Sequence, residues 1–159
     1  MIVVSNAGPL IALARIERLD VLPALYTEIV VPSAVHEEVL GTERKGFSVL
    51  KTASWLRVEA VSDRTAVTLL RERLDAGESE TIVLALELEA DLLLMDEARG
   101  RRIAAARGMT LTGTLGTLLL AKRKRLLERV EPLLADLAAK GFRMSGVLYR
   151  HILQEAGED

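Results

Sequence analysis

Acidic side chains recur in this 159-residue chain a step or two beyond short apolar runs. Glu37 and Glu38 lie in "VPSAVHEEVL", Glu78 and Glu80 follow "DAG", and Asp96 and Glu97 follow "DLLLM", while Asn6 ends "IVVSN". Brought within a few ångströms, carboxylates from such separated places would repel one another unless a hard divalent cation lay among them. Mg²⁺ and Mn²⁺ accept that oxygen-rich setting. An ordinary reading stands beside this one, in which each is a surface charge. Glu78, Asp96 and Glu97 would then only favour helix N-termini, by about 0.3–1 kcal/mol. Spacing alone leaves both readings open.

Other chemistries are narrowed more sharply. There is no cysteine, so disulfides, thiolate metal sites and cysteine nucleophiles are excluded together. Neither G-x-x-x-x-G-K-[ST] nor G-x-G-x-x-G occurs, and "GTLGTLLL" has the wrong spacing for a phosphate loop, so Gly113 and Gly116 read as a turn into a helix. A serine hydrolase would need a G-x-S-x-G elbow, which is missing. The two histidines, His36 beside Glu37 and His151 near the end, read as surface residues.

Elements that would carry these residues alternate along the chain. "IVVS" (Ile2 to Ser5), "EIVVP" (Glu28 to Pro32), "WLRVEAV" (Trp55 to Val61), "DLLLMD" (Asp91 to Asp96) and a short fifth run near Thr110 to Leu111 read as strands. Helical periodicity covers Pro9 to Arg18, Pro32 to Leu40, Asp63 to Leu74, Glu78 to Glu89 and Ala98 to Arg107. "LGTERKGFSV", Leu40 to Val49, reads as one polar turn or loop. Strands that are apolar throughout and separated by helices predict a parallel sheet of about five strands covered on both faces, a three-layer α/β/α fold. Extra helices follow at Leu115 to Arg125, Glu128 to Lys140 and Ser145 to Glu155, with Gly141 at a helix C-terminus. Gly8 and Pro9 then make the corner from the first strand into the first helix, with Pro9 placed at its first position. In such sheets ligands bind outside the carboxyl ends of the strands, where Asn6 and Asp96 stand.

Length fits one domain over residues 1–159, with residues from about 115 onward as a helical extension. Charged residues interrupt every apolar run, so no membrane span is expected, and "MIVVS" lacks the basic start of a secretory signal, which makes cytoplasm the expected location. With 21 basic against 23 acidic residues there is no global field for nucleic acid, so binding to a polyanion needs a local patch. Arg99, Arg101, Arg102 and Arg107 form one candidate. Lys122 to Arg125 form another, which reads as a solvated helix face.

The stretches "VVSNAGPLIALARI", "VPSAVHEEVL", "GESETIVLALELEADLLLMDEARGRRIA", "TGTLGTLLLAKRKRLL" and "GFRMSGVLYRHILQEAGE" together resemble the PIN-domain superfamily, and within it the prokaryotic PIN-like branch close to VapC-type toxins. The resemblance covers nearly the whole chain. It implies a metal-dependent endoribonuclease whose successive acidic positions fall on Asn6, Glu38, Glu78 and Asp96. Glu80 is the alternative to Glu78, since residues two apart on a helix point to different sides. Glu97 is implied as an extra ligand or water holder, and Ser5 and Thr114 as hydrogen-bond partners of site carboxylates.

By the same resemblance Asp96, Glu38 and Glu78 hold Mg²⁺ or Mn²⁺; Arg99, Arg101 and Arg102, in the basic run that follows Asp96, are the candidates to hold RNA phosphates, and Arg101 matches the branch's recurrent arginine in "DEARGRR". A small antitoxin-like protein and a second copy of the chain are the implied partners. Asn6 departs from the pattern by removing one negative charge from the position that anchors the ion. Two outcomes follow from that departure: a nuclease working with the remaining carboxylates, or a catalytically degenerate protein that only binds RNA or an antitoxin. A phosphatase on the same architecture is a third reading.

Overall fold

A computed structural model of the chain describes residues 1–41 and 48–159. Five short strands, β1 (Val3–Ser5), β2 (Ile29–Val31), β3 (Leu56–Val58), β4 (Leu92–Leu94) and β5 (Leu111–Thr112), pair in parallel in the order β3-β2-β1-β4-β5. The three inner strands are β2, β1 and β4, and along them alternate residues enter opposite cores. Val3, Val31 and Leu94 pack on one side, and Val4, Val30 and Leu93 on the other. Burial on both faces is why these runs are apolar throughout instead of alternating with polar residues.

The first core lies under α1 (Ala7–Arg15), α2 (Val21–Tyr26), α3 (Ser33–Leu40), α8 (Thr114–Arg123), α9 (Glu131–Ala139) and α10 (Gly146–Glu155), through Leu10, Leu13, Leu22, Val35, Leu118, Leu134 and Ile152. The second lies under α5 (Arg64–Leu70), α6 (Ala76–Glu87) and α7 (Ala98–Ala106), through Val67, Ile82, Leu84 and Ile103. This is the three-layer α/β/α architecture with extra C-terminal helices. Short helix α4 (Ser48–Thr52) precedes β3. It takes in the end of the stretch read as a loop, Ser48 and Val49, while residues 42–47 of that stretch lie outside the described residues. Among the described residues no helix is long and apolar enough to cross a membrane.

Several helices stop earlier than their periodicity predicts, for one reason. Glu17, Glu89 and Arg125 take left-handed backbone (φ 56°, 51° and 62°) just past α1, α6 and α8. The next residue's N–H then turns back onto the helix: Arg18 to the Leu13 carbonyl, Ala90 to Ala85 and Leu126 to Ala121, each at 2.9 Å. This is the Schellman stop, normally signalled by glycine. The stops after α7, α9 and α10 do carry that signal, with Gly108, Gly141 and Gly157 at φ 78°, 94° and 71° and Met109, Phe142 and Glu158 donating to the carbonyls of Ala104 (3.2 Å), Leu137 (2.9 Å) and Leu153 (2.8 Å).

The C-terminal layer is tied down by Glu158. Its buried carboxylate accepts from Lys122 Nζ (2.7 Å) and from the backbone N–H groups of Val130 (2.7 Å) and Glu131 (2.9 Å). Burial alone would raise its pKa, but the Lys122 ammonium and the two N–H donors reverse that and hold it below the ordinary glutamate value. The helix N-terminus of α9 thus gains its anion from a residue 27 positions later in the chain.

Candidate active site

Residues at the carboxyl ends of β1 and β4 are neighbours because Ser5 pairs with Leu94 and the Asn6 N–H donates to the Leu94 carbonyl at 2.9 Å. Asn6 is the N-cap of α1, which begins at Ala7, so Pro9 lies at the third helical position instead of the first. That shift matters for Asn6. An N-cap side chain normally accepts from the second or third helical N–H, and Pro9 has none to give. The Asn6 amide makes no cap hydrogen bond and its Oδ1 faces α6 instead.

The meeting point is Gly77, buried in the first turn of α6. A Cβ built there would lie 3.2 Å from Glu38 Oε2, 3.6 Å from Asn6 Oδ1 and 3.6 Å from Asp75 Oδ1. Side-chain oxygens from α3, the end of β1 and the head of α6 therefore converge on a spot kept open by a missing methyl group. Replacing Gly77 by Ala is expected to leave thermal stability within about 1 kcal/mol, since alanine favours a helix. The same change should lower divalent-ion affinity several-fold by pushing Glu38 aside, which calorimetric Mn²⁺ titration measures.

Asp96 lies one strand over, with its Oδ2 3.6 Å from where a Cβ on Gly8 would sit. Thr114, fully buried at the start of α8, fixes it through two hydrogen bonds, backbone N–H to Oδ1 and Oγ1 to Oδ2, both 2.7 Å. Gly113 makes this possible, because a Cβ there would meet Asp96 Oδ1 at 2.5 Å. Ser5 is equally buried but its hydroxyl donates to the Asn6 carbonyl (2.8 Å) instead of to a site carboxylate.

Asp75, which the sequence reading passed over as the residue before a helix, is the hinge of the acidic group. It forms a capping box with Glu78: Asp75 Oδ1 accepts from the Glu78 N–H (2.8 Å) and Glu78 Oε1 from the Asp75 N–H (3.3 Å). The D-x-x-E pattern at "DAGE" is the signal that could have found it. Burial first, then the hydrogen bond and charge of Asp75 and the charge of Glu97, push Glu78 up to about 7. Glu38 is raised as well, by partial loss of water and then by Asp75. A carboxyl raised in the folded chain favours the protonated form. Its stabilising contribution is complete below the ordinary value of 4.5 and declines as pH climbs through about 7. The expected result in metal-free buffer is that Glu78→Gln flattens the fall in melting temperature between those two pH values.

Glu80 has a different task. Its Oε1 accepts from the Ala34 N–H (3.1 Å) at the head of α3 and its Oε2 from Arg64 (3.1 Å). It anchors the helix that carries Glu38, and of the pair in "ESE" it is Glu78 that lines the groove with Asp75 and Glu97. Glu37 is exposed on α3.

That groove continues into a basic one lined by Arg73, Arg99, Arg102 and Arg107 beside Ile103. Among the described residues none of these four arginines makes an ion pair, and Arg99 Nη1 donates only to the Arg73 carbonyl (3.2 Å). Arg101 points elsewhere, donating to the Met95 carbonyl at 2.7 Å beneath Asp96. Arg73 was absent from the sequence-based patch because it belongs to a different turn of the chain.

As placed, no three histidine or carboxylate side chains among the described residues stand close enough to share one metal ion. Thr114 holds Asp96 to one side and the capping box holds Glu78 to the other. The donor set nevertheless fits a hard divalent cation. It is all oxygen, and the Gly77 and Gly8 cradles give it room.

A family model described as a PIN domain matches residues 2–158. The PIN domain is a nuclease-type fold whose members typically use divalent metals. No curated protein and no solved structure matches the chain.

Proposed function

The chain belongs to the PIN-domain family, and from that premise we propose that it is a divalent-metal-dependent endoribonuclease, resembling the toxin of a toxin–antitoxin pair, that hydrolyses RNA phosphodiesters. The observation that carries the reading is the meeting of Glu38, Asp75 and Asn6 oxygens at Gly77, with Asp96 fixed by Thr114 at the end of the neighbouring strand β4. Asp96, Glu38 and Asp75 would hold Mg²⁺ or Mn²⁺, with Asn6 contributing a neutral carbonyl oxygen. When bound, the ion supplies Lewis acidity to the scissile phosphate and lowers the pKa of a water. Glu78, pushed up to about 7 by burial and then by Asp75, would take a proton from a water in the cleft. Thr114 keeps both Asp96 oxygens in one orientation, and Glu80 keeps Glu38 in reach by anchoring α3. Arg73, Arg99 and Arg102 neutralise RNA phosphates leaving the cleft, so affinity falls with salt.

A small antitoxin-like protein and a second copy of the chain are the partners this reading brings with it. Asn6 favours a second reading, an RNA- or antitoxin-binding protein without catalysis, because an amide replaces a charge where the ion is gripped. Purified protein incubated with RNA, DNA and a small phosphoester separates these readings. RNA cleavage that needs Mn²⁺ or Mg²⁺ and stops with EDTA supports the nuclease. Binding without cleavage favours the second reading, and hydrolysis of the phosphoester alone indicates a phosphatase.

A further inference from the structure

On the side of Asp96 away from the arginine groove lies a pocket of about 370 Å³, at the small end of the range for small-molecule sites. Leu115 from α8, Phe142 and Arg143 from the segment between α9 and α10, and Leu148 from the first turn of α10 wall it, and Arg101 stands at its inner edge beside Asp96. Among the described residues that line it, Asp96 alone is acidic. Apolar walls with two guanidinium groups, opening onto a carboxylate that would hold the ion at the scissile phosphate, suit a flat ring attached to a phosphate chain.

We propose that this pocket takes one unpaired RNA base next to the scissile phosphate. Aromatic faces and arginine planes are the surfaces on which unstacked bases lie. The chain has only five aromatic side chains, one Trp, two Tyr and two Phe, and one of them, Phe142, packs on the first core and also lines this pocket. The wall is also built to stay in place. The Schellman turn at Gly141 fixes Phe142, and the Ser145 hydroxyl accepts from the Leu148 N–H at 3.1 Å, starting α10. Glu158 fastens the far end of that layer through Lys122 and the head of α9. A base stacked in a duplex cannot enter. This inference rests on the nuclease reading.

The test is fluorescence anisotropy with a short labelled single-stranded RNA and a set of the same strands, each carrying one abasic residue, in Ca²⁺ to slow turnover. The wild-type protein is expected to lose affinity about tenfold when the base is missing at one position, the loss of a single stacked base. In Phe142→Ala that difference disappears, and in Phe142→Trp it survives. Leu148→Ala, a change on the outer wall, reduces it several-fold and keeps the test decisive should Phe142→Ala fail to fold. RNA binding with an abasic penalty unchanged in both alanine variants, or with no abasic penalty in the wild type, overturns the base pocket alone. Failure of the wild type to bind any of the strands overturns the nuclease reading and the pocket with it.

Discussion

Asp96→Asn is expected to lower metal-dependent RNA cleavage by about 10²-fold or more while the protein stays folded, on the scale of losing one preorganised charge contact at a reacting centre. The asparagine still offers an oxygen to Thr114, so the start of α8 keeps half of its anchoring. What it removes is the charge at the carboxyl end of β4, next to Asn6, which already lacks one. Two neutral amides side by side leave Glu38 and Asp75 to hold a dication from the other side of the cleft. A gel-based cleavage assay with matched circular-dichroism melts separates lost chemistry from lost structure.

The converse substitution, Asn6→Asp, is expected to tighten Mn²⁺ binding about tenfold and to increase cleavage. At contact distance even a well-screened unit charge is worth about 1 kcal/mol or more toward a cation. The same change should lower the melting temperature of the metal-free protein. Asn6 Oδ1 and the Glu38 and Asp75 oxygens all face the Gly77 cradle, so a new carboxylate there adds to repulsion that already raises Glu38. Saturating Mn²⁺ should recover the lost degrees. Calorimetric titration and thermal melts with and without the ion measure both halves of this prediction, and a gain of activity from none would identify the natural protein as the binding form.

The architecture was legible because the strands carry residues destined for two cores. Val3 and Val4 go to opposite faces and both are apolar, so the parallel sheet is written into the run itself. Glu38, Asp96 and Asn6 were legible through their places just past strands or on the helix after one. Asp75 was not, because aspartate before a helix has a sufficient local explanation as a cap, and only the folded chain brings Glu38 against it. Glu80 and Glu78 could be told apart only when α3 and Arg64 supplied partners for one of them. Helix ends at Glu17, Glu89 and Arg125 gave no warning, since the left-handed residue there is not glycine. Helix α2, six residues that are almost all apolar, has no amphipathic period by which to announce itself.

The most direct measurement is anomalous diffraction from a crystal of the natural protein grown with Mn²⁺. The predicted result is one peak in the cleft bounded by Asn6, Glu38, Asp75 and Asp96, lost in the Asp96→Asn protein. Full occupancy of that cleft by water alone at saturating Mn²⁺, or a peak held only by residues outside it, would contradict a metal-dependent site at the strand ends.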